Sequence, residues 1–459
     1  MQFRADGLPV HLPEGLRLVE LELTDAGCVG HGLIRFRDLL SEFDIDSGEW
    51  LYGPVTCLYG ENATGKSTVI HAIGVLRTLI SGGRLDGKDT RLIRRARTSC
   101  GIRAVFRDGD RIWLEYEVHL TGTDSYVHVA YESAKVGLRE GRLLPPKITV
   151  ANGMPKSPAW FWNAMPARGK TADGQGSLLF SPTDGSCRLS WMIRHMTADA
   201  SNHMMRIMPR LDRLADMADR LTHWMRNGVI IVTEDDTRPI TVTVDGRYPI
   251  DLDHWDYCPN DRLPMMRHTI RMLDDMMSVT FPGLRVGLEE HPGSDGWTDI
   301  RMKAIRDGFE YPFAEESIGV KWMMRLLPLL LRLQYDRNVF LIVDGLDRHM
   351  GVVLHDRIIG LLQLWLAGQM LFVTRQIRVF NVTDSPYTGI ILSTVDPGDR
   401  FVPFRGLCSY DVSPDRSYRS LAGAGWPVEL SNVPSRFRIN LGLHEARGHI
   451  PPIASVSFD

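Results

Sequence analysis

The stretch VTCLYGENATGKSTVI, Val55–Ile70, decides the fold. It opens with an apolar run that is typical of a short buried strand, and a helical period continues from Lys66 to the glycine pair at 82–83. Between them Gly60, Gly65, Lys66 and Ser67 satisfy the pattern G-x-x-x-x-G-K-[ST]. Such a loop curls successive backbone N–H groups around phosphate oxygens, and the following helix points its positive end at the same anion. The alternative is a glycine-rich turn without a ligand.

The loop predicts a full set of nucleotide-binding residues. Lysine at position 66 is expected to bridge the terminal phosphates, and the hydroxyl at position 67 is expected to bind magnesium. The predicted phosphate-binding residues are Gly60, Glu61, Asn62, Ala63, Thr64, Gly65, Lys66, Ser67 and Thr68.

A second magnesium ligand is predicted far along the chain. In NVFLIVDGLD five apolar residues, Val339 to Val343, precede Asp344, as expected for a buried strand that ends in a carboxylate. The alternative is an aspartate that only closes a turn. Together with the loop at 60–68, the pattern favours a metal ligand, so ATP and Mg²⁺ are the predicted cofactors.

Composition and charge narrow the function classes. The chain has 459 residues, 44% hydrophobic and 24% charged, as expected for a soluble protein with two or three cores. A net charge of −3 gives no overall attraction to nucleic acid or membrane. The six cysteines lack zinc-type or redox-type spacing, and every apolar run is broken before the roughly 18 residues that a membrane span requires. We therefore expect a cytoplasmic protein without a membrane partner.

The predicted fold class is α/β, a mixed P-loop sheet with helices on both faces and a helical and β insertion. The expected divisions are an N-terminal ATPase lobe with the P-loop at 1–136, the insertion at 137–285, a C-terminal ATPase lobe at 286–380, and a β and loop extension at 381–459. The segment IRAVFRDGDRIWLEYEVHL predicts a hairpin around Asp108 and Gly109.

Three segments together resemble a known family. VTCLYGENATGKSTV, then EESIGVKWMMRLLPLLL, then VFLIVDGLD are similar to the ABC-type AAA ATPases of the RecF/SMC-like and OLD-like group. The resemblance implies an ABC-type head that forms a homodimer or higher oligomer around sandwiched ATP. It also implies that Ser317 and Gly319 open a helix that meets the γ-phosphate held by the other subunit. The alternative for Ser317 is a plain helix cap.

The sequence departs from the family pattern at the residues of hydrolysis. In the family a glutamate follows the strand-ending aspartate and orients the attacking water, whereas this chain has Gly345. The family's γ-phosphate-sensing histidine corresponds to Arg375. Glycine cannot polarise water and arginine cannot accept a proton. Asp347 is the nearest carboxylate that could replace the glutamate, and Arg375 could stabilise phosphate charge. The prediction is ATP binding with slow or absent hydrolysis.

The resemblance implies several functions. The leading one is a nucleotide-gated sensor or scaffold in a bacterial anti-phage defence system, with a separate protein effector. The alternatives are a DNA-repair-type ATPase that acts on DNA ends and a non-hydrolysing structural partner. The arginine-rich run RLIRRARTSCGIR makes DNA a possible partner, although a solvated helix end is the simpler interpretation. For the adenine contact the sequence offers only Arg35 and Phe36 as guesses.

Overall fold

The structure is a computed structural model of the chain. It describes residues 15–36, 43–44, 49–50, 54–60, 63–93, 97–108, 112–123, 126–139, 142–151, 154–155, 209–233, 241–244, 248–251, 253–293, 296–362, 366–376, 388–393 and 400–403.

In the described chain, runs of strands are separated by single α-helices. The strands are β1 (Leu16–Ala26), β2 (Val29–Arg35), β3 (Phe43–Asp44), β4 (Glu49–Trp50), β5 (Val55–Gly60), β6 (Ser99–Asp108), β7 (Ile112–Thr123), β8 (Tyr126–Arg139), β9 (Arg142–Ala151), β10 (Met154–Pro155), β11 (Val229–Val232), β12 (Thr241–Val244), β13 (Tyr248–Asp251), β14 (Asp256–Pro259), β15 (Leu284–Pro292), β16 (Trp297–Arg306), β17 (Phe309–Pro312), β18 (Phe340–Val343), β19 (Gln369–Thr374), β20 (Thr388–Ser393) and β21 (Phe401–Pro403). The α-helices are α1 (Lys66–Ile80), α2 (Pro209–Asn227), α3 (Leu263–Thr280), α4 (Ile318–Tyr335) and α5 (Val352–Leu362). Short 3₁₀ helices lie at Asp89–Leu92 and Phe313–Glu315.

A six-stranded sheet carries the predicted P-loop. Its order is β11-β18-β19-β5-β20-β21. The first five strands run parallel, and β21 pairs with β20 in the antiparallel direction. β5, β18 and β19 are buried along their whole length, as expected for parallel strands covered on both faces.

The two faces of this sheet belong to two cores. Leu58, Phe340 and Leu371 pack in the core that contains α1 and the buried side of β1. Their chain neighbours Cys57 and Phe372 pack in the core of α3, α4 and α5. Successive strand residues point to opposite faces, so one sheet separates the two layers and holds helices on both sides.

Two antiparallel sheets flank this centre. The larger has the order β10-β9-β8-β7-β6-β1-β2, and the smaller places β16 between β14 and β15, with β17 also pairing to β16. The predicted hairpin around position 108 is confirmed as β6 and β7, which pair from Ser99 with Thr121 to Asp108 with Ile112.

The mixed α/β architecture with helices on both faces is confirmed. The expected divisions stay a prediction, and strand pairing joins residues from different divisions. β8 crosses residue 136 within the seven-stranded sheet, and β11, from the expected insertion, pairs in parallel with β18. This non-local strand pairing joins the segment 137–285 to both lobes. No helix among the described residues is long and apolar enough to cross a membrane.

Candidate functional site

Four parallel strands of the six-stranded sheet end at one edge. Gly60 ends β5, Thr374 ends β19 and Ser393 ends β20, while Asp344 follows β18 directly. β5 lies between β19 and β20, which follow it by more than 300 positions in the chain. Ligands of open α/β sheets bind outside the carboxyl ends of the strands, so this edge is the expected place for a site.

The P-loop is built between β5 and α1, as the sequence predicts. Gly65 has φ +111°, which favours glycine, and it leads into the helix that begins at Lys66. The Lys66 ammonium donates to the Gly60 carbonyl at 2.7 Å, and the Ser393 hydroxyl donates to the Thr64 carbonyl at 3.0 Å. These contacts hold the loop closed on its own backbone with the lysine inside it. The predicted ligands Glu61 and Asn62 lie outside the described residues.

The two predicted magnesium ligands meet. The Ser67 hydroxyl donates to Oδ2 of Asp344 at 3.3 Å, although the residues are 277 positions apart. Neighbouring ligands of an octahedral magnesium ion lie about 3.0 Å apart, given metal–oxygen distances of 2.0–2.1 Å. One hydroxyl and one carboxylate also match the preference of Mg²⁺ for few protein oxygens plus phosphate and water. The pair therefore fits the ion. The described residues contain no cluster of three or more His, Cys, Asp or Glu side chains that could hold a metal by themselves.

A cleft of about 170 Å³ lies over these residues. Whole small-molecule pockets usually measure about 300–1,000 Å³, so the cleft has the size for phosphates and a metal rather than an entire nucleotide. The lining residues are Cys28, Ala63, Gly65, Lys66, Ser67, Thr68, Asp344, Gly345, Asp347, Arg348, Val373, Thr374 and Arg375.

Asp347 and Arg375 lie together at this cleft. Oδ1 of Asp347 accepts a hydrogen bond from the backbone N–H of Arg375 at 3.3 Å. The charge of the Asp347 carboxylate also affects the pKa values of Cys57 and His355. Burial raises the pKa of the Cys57 thiol well above its usual range, and the Asp347 charge adds to that effect. Burial lowers the pKa of the His355 imidazole, against the opposing effect of Asp347. The backbone contact fixes the Asp347 carboxylate beside Arg375 at the cleft.

Gly345 has a backbone that disfavours the family's glutamate. Its φ of +77° lies in the left-handed region, where side chains other than glycine's are strained. A Cβ at this position would lie 2.5 Å from Nε of Arg348 and 2.7 Å from its Cδ. The side chain of Arg348 therefore covers the space into which residue 345 would extend.

Ser317 caps α4 and faces outward. Its hydroxyl accepts a hydrogen bond from the Val320 N–H at 3.4 Å, so the plain-cap interpretation describes what Ser317 does within this chain. Ser317 is exposed, and the next residue, Ile318, is 64% exposed. Gly319 has a packing reason of its own, since a Cβ there would clash with the His349 carbonyl. The open end of the helix remains available to a second molecule.

A buried carboxylate fixes this helix start. Oε1 of Glu316 accepts from Nε of Arg306 at 2.9 Å and from the Tyr311 hydroxyl, and Oε2 accepts from the Ser317 N–H at 3.1 Å. Burial alone would raise the pKa of Glu316, but these donors outweigh it and hold the pKa below its usual value. The ionised group ties α4 to β16 and β17.

Two other sequence hypotheses change with the structure. Phe36 is 1% exposed and packs edge-on against Phe340 at 6.1 Å between ring centroids, so its ring belongs to the core of the protein. Arg35 is exposed and pairs with a glutamate of β1. In the arginine run, Arg103 pairs with carboxylates of β1 and β7, and Arg97 pairs with Asp25 at 3.6 Å. These ion pairs favour a structural role for that part of the run, whereas residues 94 and 95 lie outside the described residues.

Four cleft residues escaped the sequence motifs, namely Cys28, Arg348, Val373 and Thr374. Arg348 follows Asp347 directly in DGLDRH, and its charge so close to the strand-ending aspartate was the only local sign that it could reach the site. Thr374 ends the strand that precedes Arg375. Cys28 comes from the β1–β2 turn, and its Sγ lies 3.6 Å from Oγ1 of Thr68. No local pattern marks Cys28, because the turn between β1 and β2 reaches the loop only through strand pairing in the folded chain.

The chain is similar to several solved structures. One is the SMC head domain from Thermotoga maritima, with 14% identity over 84% of this chain and 98% of that chain and a TM-score of 0.36. Another is an SMC head bound to the C-winged helix domain of ScpA, with 14% identity, 86% and 98% coverage and a TM-score of 0.46. A third is the recombination mediator protein RecF with ATP, from the RecFOR pathway, with 12% identity, 85% and 99% coverage and a TM-score of 0.34.

These structures are of the RecF and SMC kinds that the sequence resembles. No protein-family model matches the chain, and no curated protein matches it. Every TM-score above is below 0.5, so the likeness assigns neither an activity nor a ligand to this chain.

Proposed function

We propose that this chain is a nucleotide-gated protein that binds ATP with magnesium at the P-loop and hydrolyses it slowly or not at all. The observation that carries the proposal is the 3.3 Å contact between Ser67 and Asp344 over a P-loop whose lysine points into the same cleft. A hydroxyl from the helix start and a carboxylate from a distant strand end are the two protein ligands that a magnesium–triphosphate complex needs.

The roles of the loop residues follow from their chemistry. The amides from Gly60 to Thr68 bind phosphate oxygens, and Lys66 offers a cation to the terminal phosphates. Ser67 and Asp344 would hold the magnesium ion, which supplies charge neutralisation to the phosphates when it is bound. Because the cleft matches only the phosphates and metal in size, we assign the base and sugar to surfaces beyond the cleft.

Slow hydrolysis follows from what surrounds the terminal phosphate. Gly345 brings no group that could orient water, and Asp347 has one oxygen engaged by the Arg375 N–H. Loss of a water-positioning group usually costs several powers of ten in such reactions. A turnover typical of P-loop ATPases that disappears in Asp347→Ala would refute this part and make Asp347 the base.

We assign a dimer interface to the exposed start of α4. Ser317 and Gly319 would meet the terminal phosphate of a nucleotide bound by a second copy, since a helix N-terminus favours an anion. The exposed Ile318 beside them supports an apolar contact with that copy. ATP would then join two protomers, and its loss would release them.

The biological setting rests on the sequence resemblance alone. We assign the switch to a bacterial anti-phage defence system in which ATP-joined copies control a separate protein effector. A toxin or nuclease gene next to this one would support that assignment. The DNA-repair alternative makes a different prediction, namely phosphate release that DNA stimulates.

Calorimetry with ATP and magnesium, gel filtration with and without ATP, and phosphate release with and without DNA test these statements together. We expect ATP uptake, a larger species that requires ATP, and phosphate release near background in both conditions. Absence of ATP uptake overturns the proposal. DNA-stimulated turnover would replace the switch by a DNA-dependent ATPase, and ATP uptake without a larger species would leave a structural ATP-binding partner.

A further inference from the structure

Arg348 lies in the nucleotide cleft although no motif selects it. Its side chain lines the cleft together with Lys66 and Arg375, and it covers Gly345. The turn from position 345 to 348 is closed by the Arg348 N–H, which donates to the Gly345 carbonyl at 3.0 Å. The Arg348 side chain therefore lies over the position that a Cβ at residue 345 would take, at the edge of the cleft.

Charge in the cleft favours a polyanion. Among the described lining residues three side chains are cationic, Lys66, Arg348 and Arg375, and two are carboxylates, Asp344 and Asp347. Burial lowers the pKa of Arg348, and the charge of Arg375 lowers it further. Two like charges this close repel each other, and an anion bound between them relieves that repulsion. With Asp344 committed to the metal, the remaining balance of the cleft is positive.

We infer that Arg348 is a specificity-determining residue that contacts the terminal phosphate of a bound nucleoside triphosphate and makes the cleft prefer triphosphate over diphosphate. The inference rests on the proposed function. It adds a residue that would let the protein distinguish bound ATP from bound ADP. In this chain a fixed cation, rather than a water-orienting carboxylate, faces the γ-phosphate. Such a cation stabilises the charge of the bound terminal phosphate, but it cannot accept a proton from an attacking water or orient that water as a carboxylate would.

The test compares ATP with ADP. Dissociation constants for both nucleotides with magnesium are measured by calorimetry on the full chain, on Arg348→Ala and on Arg348→Lys. Arg267→Ala is the matched control, because Arg267 is an arginine paired with Glu290 outside the cleft. Thermal unfolding of each variant verifies that it folds.

We expect Arg348→Ala to weaken ATP binding about 10- to 100-fold, the usual range for a lost charged hydrogen bond, and to weaken ADP binding less than about threefold. Arg348→Lys should recover part of the wild-type ratio of ATP affinity to ADP affinity, and Arg267→Ala should leave that ratio unchanged. If Arg348→Ala is unfolded, the ratio measured on Arg348→Lys decides.

An ATP-to-ADP ratio that stays at the wild-type value in both Arg348 variants overturns the inference alone, and the proposed function survives. A wild-type chain that takes up neither nucleotide overturns the proposed function and this inference together.

Discussion

The Ser67 hydroxyl lies 3.3 Å from Oδ2 of Asp344, and this contact joins the start of α1 to the end of β18 across 277 positions of sequence. Neither residue carries a metal site by itself. Parallel pairing of β5 with β19, and of β19 with β18, puts their carboxyl ends on one edge and brings the two oxygens together.

Ser67→Ala and Asp344→Asn should each remove most of the magnesium dependence of ATP binding. If both hold one ion, the double variant should bind ATP no more weakly than the weaker single variant, since contacts that act through one partner are not additive. Calorimetry in magnesium and in EDTA measures the ATP affinities of the wild type, both single variants and the double variant. Equal ATP affinities of wild type and both single variants in magnesium would remove the ion from this pair.

Lys66→Ala should weaken ATP binding by about 100-fold or more, because the lysine supplies a charge-assisted contact in a buried setting. Lys88→Ala is the control, since Lys88 is an exposed lysine outside the cleft. The measurement is a calorimetric titration of each variant with ATP. An affinity of Lys66→Ala within threefold of that of Lys88→Ala would argue against a P-loop that binds phosphate.

Gly345→Glu should fail to create an ATPase, even though it restores the family's residue. The backbone there has φ +77°, and Arg348 fills the space beyond it. We expect destabilisation by about 1–3 kcal/mol from backbone strain and phosphate release at the wild-type level. Gly345→Ala controls for the strain without adding a carboxylate. A more than tenfold rise in phosphate release by Gly345→Glu alone would show that the position accepts a catalytic group.

Arg306→Ala should separate nucleotide binding from dimerisation. Arg306 holds Glu316, which in turn accepts the Ser317 N–H, and the described P-loop residues 60 and 63–68 take no part in this network. We expect ATP affinity of the monomer to change less than twofold and ATP-dependent dimerisation to weaken at least tenfold. Arg306→Lys should recover part of the dimerisation. The measurements are calorimetry at low protein concentration and analytical ultracentrifugation with ATP.

Parallel losses of ATP affinity and dimerisation in Arg306→Ala would mean that the network supports the fold generally. Unchanged dimerisation in a folded variant would detach the start of α4 from the interface.

Acid should weaken the contribution of Glu316 to stability. Its folded pKa lies below the ordinary value, so the stabilisation is present above the unfolded glutamate pKa of about 4.3 and is lost as pH falls through the folded pKa. Glu316→Gln should therefore be less stable than wild type near pH 7, and the difference should shrink as the pH falls toward and below about 4. Urea unfolding of both proteins across this range measures it. If the stability difference between wild type and Glu316→Gln grows with acidification, the folded pKa of Glu316 is raised and not lowered.

Much of the fold could be predicted from local patterns. The P-loop glycines, the all-apolar strand before Asp344 and the period of α4 follow from rules that act within one turn or one strand. The domain divisions could not be read in this way. β11 lies more than 100 positions before its parallel partner β18, and a four-residue apolar run gives no sign of which sheet it will join.

The sequence by itself determined the chemistry of the site, because a phosphate loop and a strand-ending carboxylate are encoded over a few neighbouring residues each. Only the tertiary structure decided which side chains surround the P-loop. It placed Cys28 beside the loop, buried Phe36 in the core, and laid Arg348 over Gly345. These outcomes depend on strand order and on side chains packed across long chain separations, and those long-range contacts leave no period in the sequence.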